Sequence, residues 1–318
     1  MSKPQILTVP DVTYATRDGK ALLADIYVPQ DGVRQKPAII WVHGGGWRFG
    51  DRKLSPDLAR DYAERGFVMV SVDYRLSKHA VFPAALEDIK TAVRWLKSVA
   101  EQYAVDPARI GLWGGSAGGH LAALCATSGP GCFEGPAEDG AGGFDSRVAA
   151  VVDCYGPTDF LQIDAHRDPE GKPSEDVESI QLPKGVFSAQ VDSLESAFVG
   201  APIETVPEIV QAANPIAHIR RDSALPPFLI IHGRCDTAVP AHQSVILFEA
   251  LNNVGNDATL LLVEGLGHGF TNRKNLDQRS FPYEQRDGSG TRHQQGQIFE
   301  TIGNWLSNKL MITIEDSE

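Results

Sequence analysis

The sequence predicts an α/β domain with a mostly parallel sheet of about eight strands and helices on both of its faces. Apolar runs that are typical of strands buried on both faces recur along the chain. Segments with apolar residues at helical spacing separate these runs, as right-handed βαβ units require. A glycine-rich turn with a serine at its apex joins one such strand to one such helix. No internal repeat or linker interrupts the order, so we expect 1–318 to be a single domain.

The chain begins with stretches that alternate apolar and polar residues, which predicts antiparallel strands and therefore a mixed sheet. These alternating stretches are 6–9, 12–16 and 22–28, and the predicted buried strands are 37–43, 67–73, 110–113, 148–153, 227–232 and 259–263. The predicted helices are 58–65, 84–103, 119–126, 241–252 and 295–309.

Three segments do not fit the alternation of strands and helices. Residues 129–146 are rich in glycine, proline and acidic side chains and are predicted to form a loop. Residues 156–219 form a long insertion after the sixth strand, and such insertions in compact α/β domains are usually lids or binding loops. We therefore expect 156–219 to form a cap, and we expect a further loop at 272–292.

The composition limits the kinds of molecule that the protein is expected to bind. The net charge of −12 argues against nucleic acid and against anionic membrane surfaces. The sequence has no apolar run of transmembrane length and no signal-peptide pattern, so we expect no membrane span and a cytoplasmic location. The four cysteines lack metal-ligand spacing, and we expect no metal site. Composition leaves the oligomeric state open, a homodimer included.

Ser116 is the first candidate for chemistry. It stands in Gly-Gly-Ser-Ala-Gly at 114–118, a G-x-S-x-G pattern between a predicted strand and a predicted helix. In that context the pattern predicts a nucleophile elbow, whose strained turn and close backbone contacts require glycine. The helix that follows would direct its N-terminal amides toward negative charge that develops there. The alternative is a glycine-rich turn with an incidental serine, and the flanking strand and helix favour the elbow.

A serine nucleophile needs a base and an acid beside it. His268 follows the last predicted strand in a glycine-flanked loop, and such strand ends border the crevice of a parallel sheet. Asp236 follows the strand at 227–232, and the order serine, aspartate, histidine along the chain favours it. The rival acids are Asp153, Asp159 and Glu264.

Acyl transfer also needs donors for an oxyanion. The triplet Gly44, Gly45 and Gly46 follows the first long buried strand. We expect the backbone N–H groups of Gly45 and Gly46, together with that of Ala117, to form the oxyanion hole, with Gly44 as a further candidate.

Aromatic and histidine side chains near these motifs are predicted to pack in the core or to line the substrate pocket. Trp47 and Phe270 are predicted to line an aromatic substrate pocket, with core packing as the alternative for Trp47. His43 is predicted to make a structural hydrogen bond. His120, on the helix after Ser116, is predicted to be a packing residue.

With these motifs the chain resembles the α/β-hydrolase superfamily over nearly its whole length. The stretches that carry the resemblance to its carboxylesterase branch are HGGGWRFGD at 43–51, DYRL at 73–76, FPAALEDIKTAVRWL at 82–96, GGSAGG at 114–119 and HGRCDTAVP at 232–240. Within that branch it is most similar to the feruloyl and acetyl-xylan esterase-like group called BD-FAE. It also resembles hormone-sensitive-lipase-type esterases, but it carries Gly115 where they usually have aspartate, and its N-terminus is too short for their helical cap.

The resemblance implies a serine-dependent hydrolase of small or short-acyl carboxylic esters that needs no cofactor. Its substrate would be a small-molecule ester, attacked by Ser116 with His268 as base, through an acyl-enzyme. Kynurenine formamidases share a similar HGG-x-W and G-x-S-x-G pattern, so an arylformamidase remains an alternative, as does a feruloyl or acetyl-xylan esterase. Peptidases of the prolyl-oligopeptidase type share the fold, but the chain has no room for their propeller domain. Some proteins of this fold are binding modules that have lost the histidine, and the presence of Ser116, Asp236 and His268 together argues against this class.

Overall fold

A computed structural model describes residues 3–136, 142–167, 190, 192–273 and 276–311 of the chain. Within these residues, ten strands form one sheet in the order β1-β2-β4-β3-β5-β6-β7-β8-β9-β10. The strands are β1 Ile6–Arg17, β2 Lys20–Pro29, β3 Lys36–Val42, β4 Val68–Val72, β5 Val105–Gly115, β6 Ala150–Cys154, β7 Phe228–Gly233, β8 Ala258–Val263, β9 Phe281–Asp287 and β10 Gly290–Gly296. The α-helices are α1 Leu58–Asp61, α2 Ala84–Ser98, α3 Ala117–Thr127, α4 Leu194–Val199, α5 Pro207–Ala213, α6 His242–Asn253 and α7 Ile298–Leu310.

The central strands, from β4 through β3 and β5 to β8, run parallel. Antiparallel pairs flank them, β1 and β2 at one edge and β9 and β10 at the other. The prediction of a mixed, mostly parallel sheet with helices on both faces is confirmed. Two differences, one at each edge, separate the nine stretches predicted above from the ten observed strands: two stretches merge into one strand, and a hairpin adds two strands.

At the first edge, the stretches predicted as separate strands at 6–9 and 12–16 belong to one strand. The pairing of β1 with β2 shifts between Val9 and Val12, which is a β-bulge. Asp11 at the bulge has a φ of 57°, and its N–H donates to Asp25 Oδ1 over 2.9 Å. Pro10 lies beside this bulge, and an edge strand with a bulge accommodates a proline.

At the other edge, the loop expected at 272–292 is largely a hairpin, and that prediction is wrong. Strands β9 and β10 pair antiparallel, and β9 also pairs with β8. Nearly every residue of β10 is exposed, so the strand carries no apolar alternation by which it could be recognised. Because β10 extends to Gly296, the last helix begins at Ile298 and not at 295.

Helix bounds differ at several ends. The helix predicted at 84–103 ends at Ser98, and the one predicted at 58–65 is divided into α1 and a 3₁₀ turn, Ala63–Arg65. That turn ends at Gly66, whose φ of 102° is left-handed. The helix after the serine begins at Ala117, two residues earlier than predicted.

The core lies on both faces of the sheet, and β5 contributes to each. Leu112 points into a cluster that also contains side chains of α2, α3 and α6. Trp113 points to the opposite face, where its ring meets that of Trp41 edge to face with centroids 4.7 Å apart. The alternation of buried side chains fixes the register of β5 and therefore the point at which it ends.

The insertion at 156–219 is described in part, since 168–189 and 191 lie outside the described residues. Its helix α4 packs on the loop that follows β3. Phe198 stacks on Trp47 with ring centroids 4.6 Å apart, and a Cβ placed on Gly46 would lie 2.5 Å from Leu194 Cδ1. None of the helices in the described part of the chain has the length and apolar character that crossing a bilayer requires.

Candidate active site

Ser116 occupies a sharp turn between β5 and α3. Its φ of 56° and ψ of −123° are strained for a residue with a side chain. Two backbone hydrogen bonds hold the turn: Ser116 donates its N–H to Cys154 O over 2.9 Å, and His120 donates to Ser116 O over 3.0 Å. The predicted order of strand, turn and helix is therefore present around this serine.

The glycines of the turn are required by close contacts. A Cβ on Gly118 would overlap the carbonyl oxygen of Val42. A Cβ on Gly115 would lie 2.6 Å from the hydroxyl oxygen of Tyr155. Real side chains do not approach this closely, so the elbow packs against β3 and the residues after β6 only with glycine at these positions.

His268 lies in the loop after β8, and the fold brings it to Ser116. Its Nε2 is 2.8 Å from Ser116 Oγ, and its Nδ1 is 2.7 Å from Asp236 Oδ2. A carboxylate accepts, so Nδ1 carries the proton and Nε2 is free to accept the serine hydroxyl proton. The three side chains form one line of hydrogen bonds, and proton transfer from the hydroxyl to the imidazole is possible along it.

Asp236, in the loop after β7, is the acid that contacts His268. Its Oδ1 accepts the backbone N–H groups of Ala238 and Val239, each over 2.9 Å. Burial alone would raise the pKa of Asp236, but the charge of His268 and the hydrogen bonds of His232 and His268 outweigh burial and hold that pKa well below its ordinary value. Asp236 is therefore ionised at neutral pH.

The rival acids have other partners. Asp153 Oδ1 accepts the N–H of Gly156 over 3.0 Å. Asp159 accepts the side-chain amide of Asn214, and Glu264 forms an ion pair with Arg234.

The loop at 43–47 lies against the elbow. A Cβ on Gly44 would be 3.3 Å from Ser116 Cβ, so this backbone borders the serine side chain. Gly45 O accepts the N–H groups of Arg48 and Phe49, which folds the loop into a turn. Ala117 is the first residue of α3, where the N–H has no acceptor within the helix.

The histidines assigned to structure are both buried. His43 Nδ1 is 2.7 Å from Gly44 O, its ring stacks on Tyr74, and burial lowers its pKa. His120 Nε2 donates to Ala213 O over 2.8 Å, while Trp47 Nε1 donates to His120 Nδ1 over 3.2 Å. Burial lowers the pKa of His120 to about 4, so it stays neutral.

The side chains of Trp47 and Phe270 are buried, unlike the pocket walls predicted from the sequence. The Trp47 ring packs among His120, Phe160 and Phe198, and Phe270 packs on Tyr155. Neither ring presents a free surface to a ligand in this structure, and the core-packing alternative for Trp47 fits its contacts.

Sequence reasoning missed Tyr155 and His232. The Tyr155 ring lies edge to face with His268, with centroids 4.9 Å apart, and its hydroxyl is hydrogen-bonded to Thr271 Oγ1. His232 Nε2 is 3.1 Å from Asp236 Oδ2. Both residues stand at carboxyl ends of parallel strands, the position that had already drawn attention to Asp236 and His268.

Comparisons with known proteins agree with this fold. The BD-FAE family model matches residues 24–251. Esterase LipC of Mycobacterium tuberculosis is 32% identical over 80% of this chain and 58% of its own length. Esterase LipQ of the same organism is 30% identical over 77% of this chain and 53% of its own length. The chain thus spans little more than half the length of these curated relatives.

Solved structures cover more of the chain. A truncated form of a carbohydrate esterase from gut microbiota superposes with a TM-score of 0.75 at 26% identity and covers 98% of both chains. Esterase 2 of Thermogutta terrifontis, phosphoramylated by tabun, gives a TM-score of 0.62 at 27% identity over 85% of this chain and 87% of its own.

The sheet, the elbow and the loops at the strand ends define an α/β-hydrolase. Within that class, the chain belongs to the BD-FAE family.

Proposed function

We propose that the chain is a serine-dependent carboxylic ester hydrolase that acts on small or short-acyl esters. The observation that carries this proposal is the line of hydrogen bonds from Ser116 Oγ through His268 to Asp236, with separations of 2.8 and 2.7 Å. The names of the relatives support it, since LipC and LipQ are called esterases.

In the proposed reaction, Ser116 Oγ attacks the acyl carbonyl while His268 Nε2 takes its proton. Asp236 holds Nδ1–H and stabilises the imidazolium that forms. His268 then protonates the leaving alcohol as the tetrahedral intermediate collapses to an acyl-enzyme. Water, activated by the same imidazole, releases the acid and restores Ser116. Because His268 performs each proton transfer, the mechanism requires neither a metal nor an organic cofactor.

The oxyanion of each tetrahedral intermediate is assigned to the backbone N–H groups of Gly45, Gly46 and Ala117. The closeness of the Gly44 backbone to Ser116 supports this assignment, and so does the position of Ala117 at the start of α3. Such fixed donors usually supply the largest single share of acceleration in acyl transfer.

A carbohydrate ester is the second candidate substrate, either an acetylated xylan or a feruloylated sugar. The observation that favours it is the structure of the gut-microbiota carbohydrate esterase, which covers 98% of this chain. Membership of the BD-FAE family points in the same direction.

The test is a panel of substrates with the wild type and Ser116→Ala. It contains p-nitrophenyl esters from acetyl to long acyl, acetylated xylan, methyl ferulate and an N-formyl anilide. We expect the wild type to prefer short acyl chains, and the variant to lose activity by roughly three or more orders of magnitude. Preference for the N-formyl anilide would replace the ester proposal with an arylformamidase. Unchanged activity in Ser116→Ala would reject the serine mechanism.

A further inference from the structure

The Asp236 carboxylate lies between two histidines. Its Oδ2 is 2.7 Å from His268 Nδ1 and 3.1 Å from His232 Nε2. Its Oδ1 accepts the N–H groups of Ala238 and Val239. A carboxylate offers about four lone-pair sites, so these donors saturate it. The second histidine therefore belongs to the hydrogen-bonding set of the carboxylate.

The hydrogen bonds of His232 fix its tautomer. Besides Asp236, its Nε2 lies 2.9 Å from Val239 O, and both neighbours are acceptors, so Nε2 carries a proton. Its Nδ1 is 2.7 Å from Ser244 Oγ, and the hydroxyl donates to it when the ring is neutral. The side chain is fully buried. His232 is thus held at both ring nitrogens, with an Nε2–H that Val239 O and Asp236 Oδ2 share.

Other titratable groups face this pair from neighbouring strands. Asp153, at the end of β6, is buried, and burial raises its pKa to about 6. Burial also raises the pKa of Tyr155, whose ring centroid lies 4.9 Å from that of His268 and 6.5 Å from that of His232. From α6, the facing group is the neutral hydroxyl of Ser244.

We infer that His232 is a positioning residue for the proposed reaction, because its Nε2–H shares Asp236 Oδ2 with His268 Nδ1–H. The shared bond helps to fix Oδ2 and divides the negative charge of that oxygen between two donors, which limits its pull on the His268 imidazolium. This inference rests on the proposed function, since it takes His268 as the general base. If the N–H of His232 is removed, His268 Nδ1–H remains the one donor to Oδ2 among the described residues, and that oxygen is less firmly held.

A matched pair of variants tests the inference. In His232→Gln, the amide nitrogen reaches the position of Nε2 and still donates to Asp236. In His232→Asn, the side chain is one methylene shorter and reaches only the position of Nδ1, beside Ser244. We expect His232→Asn to lower kcat roughly ten-fold with little change in KM, because substrate contacts are intact. The acid limb of its kcat/KM profile should move about half to one unit higher in pH, because the imidazolium gains stabilisation. His232→Gln should restore most of both properties.

Two controls make the outcome specific. The pair is also measured in an Asp153→Asn background, which removes the titration of Asp153 from the acid limb. Titration with a fluorophosphonate counts the folded, reactive serines in each sample, so that loss of fold is not read as loss of rate. Equal behaviour of the Asn and Gln variants, or an acid limb that does not move, would overturn the inference.

A measurement on the wild type serves if neither variant folds. In the ¹⁵N spectrum of histidine-labelled protein, the neutral ring of His232 should show a protonated Nε2 and a bare Nδ1. A bare Nε2 would overturn the inference. A failure of the proposed function would give a different result, because the wild type would then be neither labelled by the fluorophosphonate nor active on esters.

Discussion

Gly115 ends β5 and Ser116 follows it in the turn, and each of these adjacent residues has a structural requirement of its own. Ser116 has a left-handed φ of 56°, and Gly115 leaves room for the hydroxyl of Tyr155. That hydroxyl binds Thr271, three residues after His268. The glycine that replaces the aspartate of hormone-sensitive-lipase-type esterases therefore makes space for a link between the end of β6 and the histidine loop.

The first prediction concerns this space. Gly115→Ala should lower kcat at least ten-fold and destabilise the fold by about 1–3 kcal/mol, because the new methyl group collides with Tyr155. Gly115→Ala combined with Tyr155→Phe should regain part of the loss, since the hydroxyl is gone. Gly143→Ala is the control, because its Cβ would meet no atom within 4 Å. Kinetics and urea unfolding of the set measure the coupling, and purely additive effects would contradict it.

The second prediction concerns Asp153, whose Oδ2 is buried with no hydrogen-bond partner. Burial raises the pKa of Asp153 from 3.8 to about 6. A carboxyl whose pKa is raised in the folded state contributes stability that is fully present below its pKa in the unfolded chain. This stability is lost as the pH rises through about 6, the pKa in the folded state. The difference in the free energy of unfolding between Asp153→Asn and the wild type should therefore rise by about 2–3 kcal/mol, in favour of the variant, from pH 4 to pH 7. Urea unfolding across this range measures it, and a constant difference would show that Asp153 does not titrate there.

At the scale of elements, α4 determines what surrounds the loop after β3. Leu194 lies on Gly46, and Phe198 stacks on Trp47 in the same loop. The small α4 is anchored by Ser193, whose hydroxyl accepts the N–H of Ser196, and it ends at Gly200. We propose that this part of the insertion at 156–219 caps the site and restricts acyl length.

The third prediction follows from that contact. Leu194→Ala should shift the preference among p-nitrophenyl esters toward longer acyl chains, raising the ratio of kcat/KM for octanoate to that for acetate roughly ten-fold, since a few methylenes in an apolar pocket differ by about this much. Leu161→Ala is the control, because Leu161 is an exposed leucine of the same insertion. An unchanged ratio in Leu194→Ala would place the acyl chain elsewhere.

Patterns in the sequence predicted the elements that bury apolar side chains and missed those that do not. The parallel strands and α3 were recognised because their apolar runs and glycines are local signals. The hairpin of β9 and β10 was missed because its polar side chains resemble those of a loop, and only pairing with β8 makes it a sheet edge. Motif and chain order made Ser116, His268 and Asp236 the candidates for catalysis, and the structure brings these side chains within hydrogen-bond distance. His232 and Tyr155 were missed because their roles depend on contacts that only the fold creates.

At the scale of the whole molecule, Arg52 links the N-terminal strands to the parallel sheet. Its guanidinium contacts Asp25 over 2.8 Å, Asp73 over 2.9 Å, and also Asp11 at the bulge of β1. Its backbone carbonyl accepts the hydroxyl of Ser71 in β4. Arg52 is largely buried, and the loop that contains it begins at the glycines beside Ser116. The Arg52 guanidinium thus joins the edge strands β1 and β2 to the loop that follows β3.

The fourth prediction tests this link. Arg52→Met should destabilise the fold by about 3–5 kcal/mol, because it leaves carboxylates near the interior without their cation. Arg60→Met removes a half-exposed arginine that also contacts carboxylates, and it should cost about 0–1 kcal/mol. Urea unfolding of both variants compares them directly. Equal losses would show that the Arg52 cluster behaves as an ordinary surface ion pair.

The assignment of Ser116 as the nucleophile of an ester hydrolase is our proposal. Its most direct test is intact and peptide mass spectrometry after incubation with paraoxon, the reagent that phosphorylated Thermogutta terrifontis esterase 2 in a solved structure. The fifth prediction is a single diethyl phosphoryl adduct on the peptide that contains Ser116, formed in step with the loss of ester hydrolysis and absent from Ser116→Ala. An adduct on another residue, or full hydrolysis by protein whose Ser116 is blocked, would contradict the account.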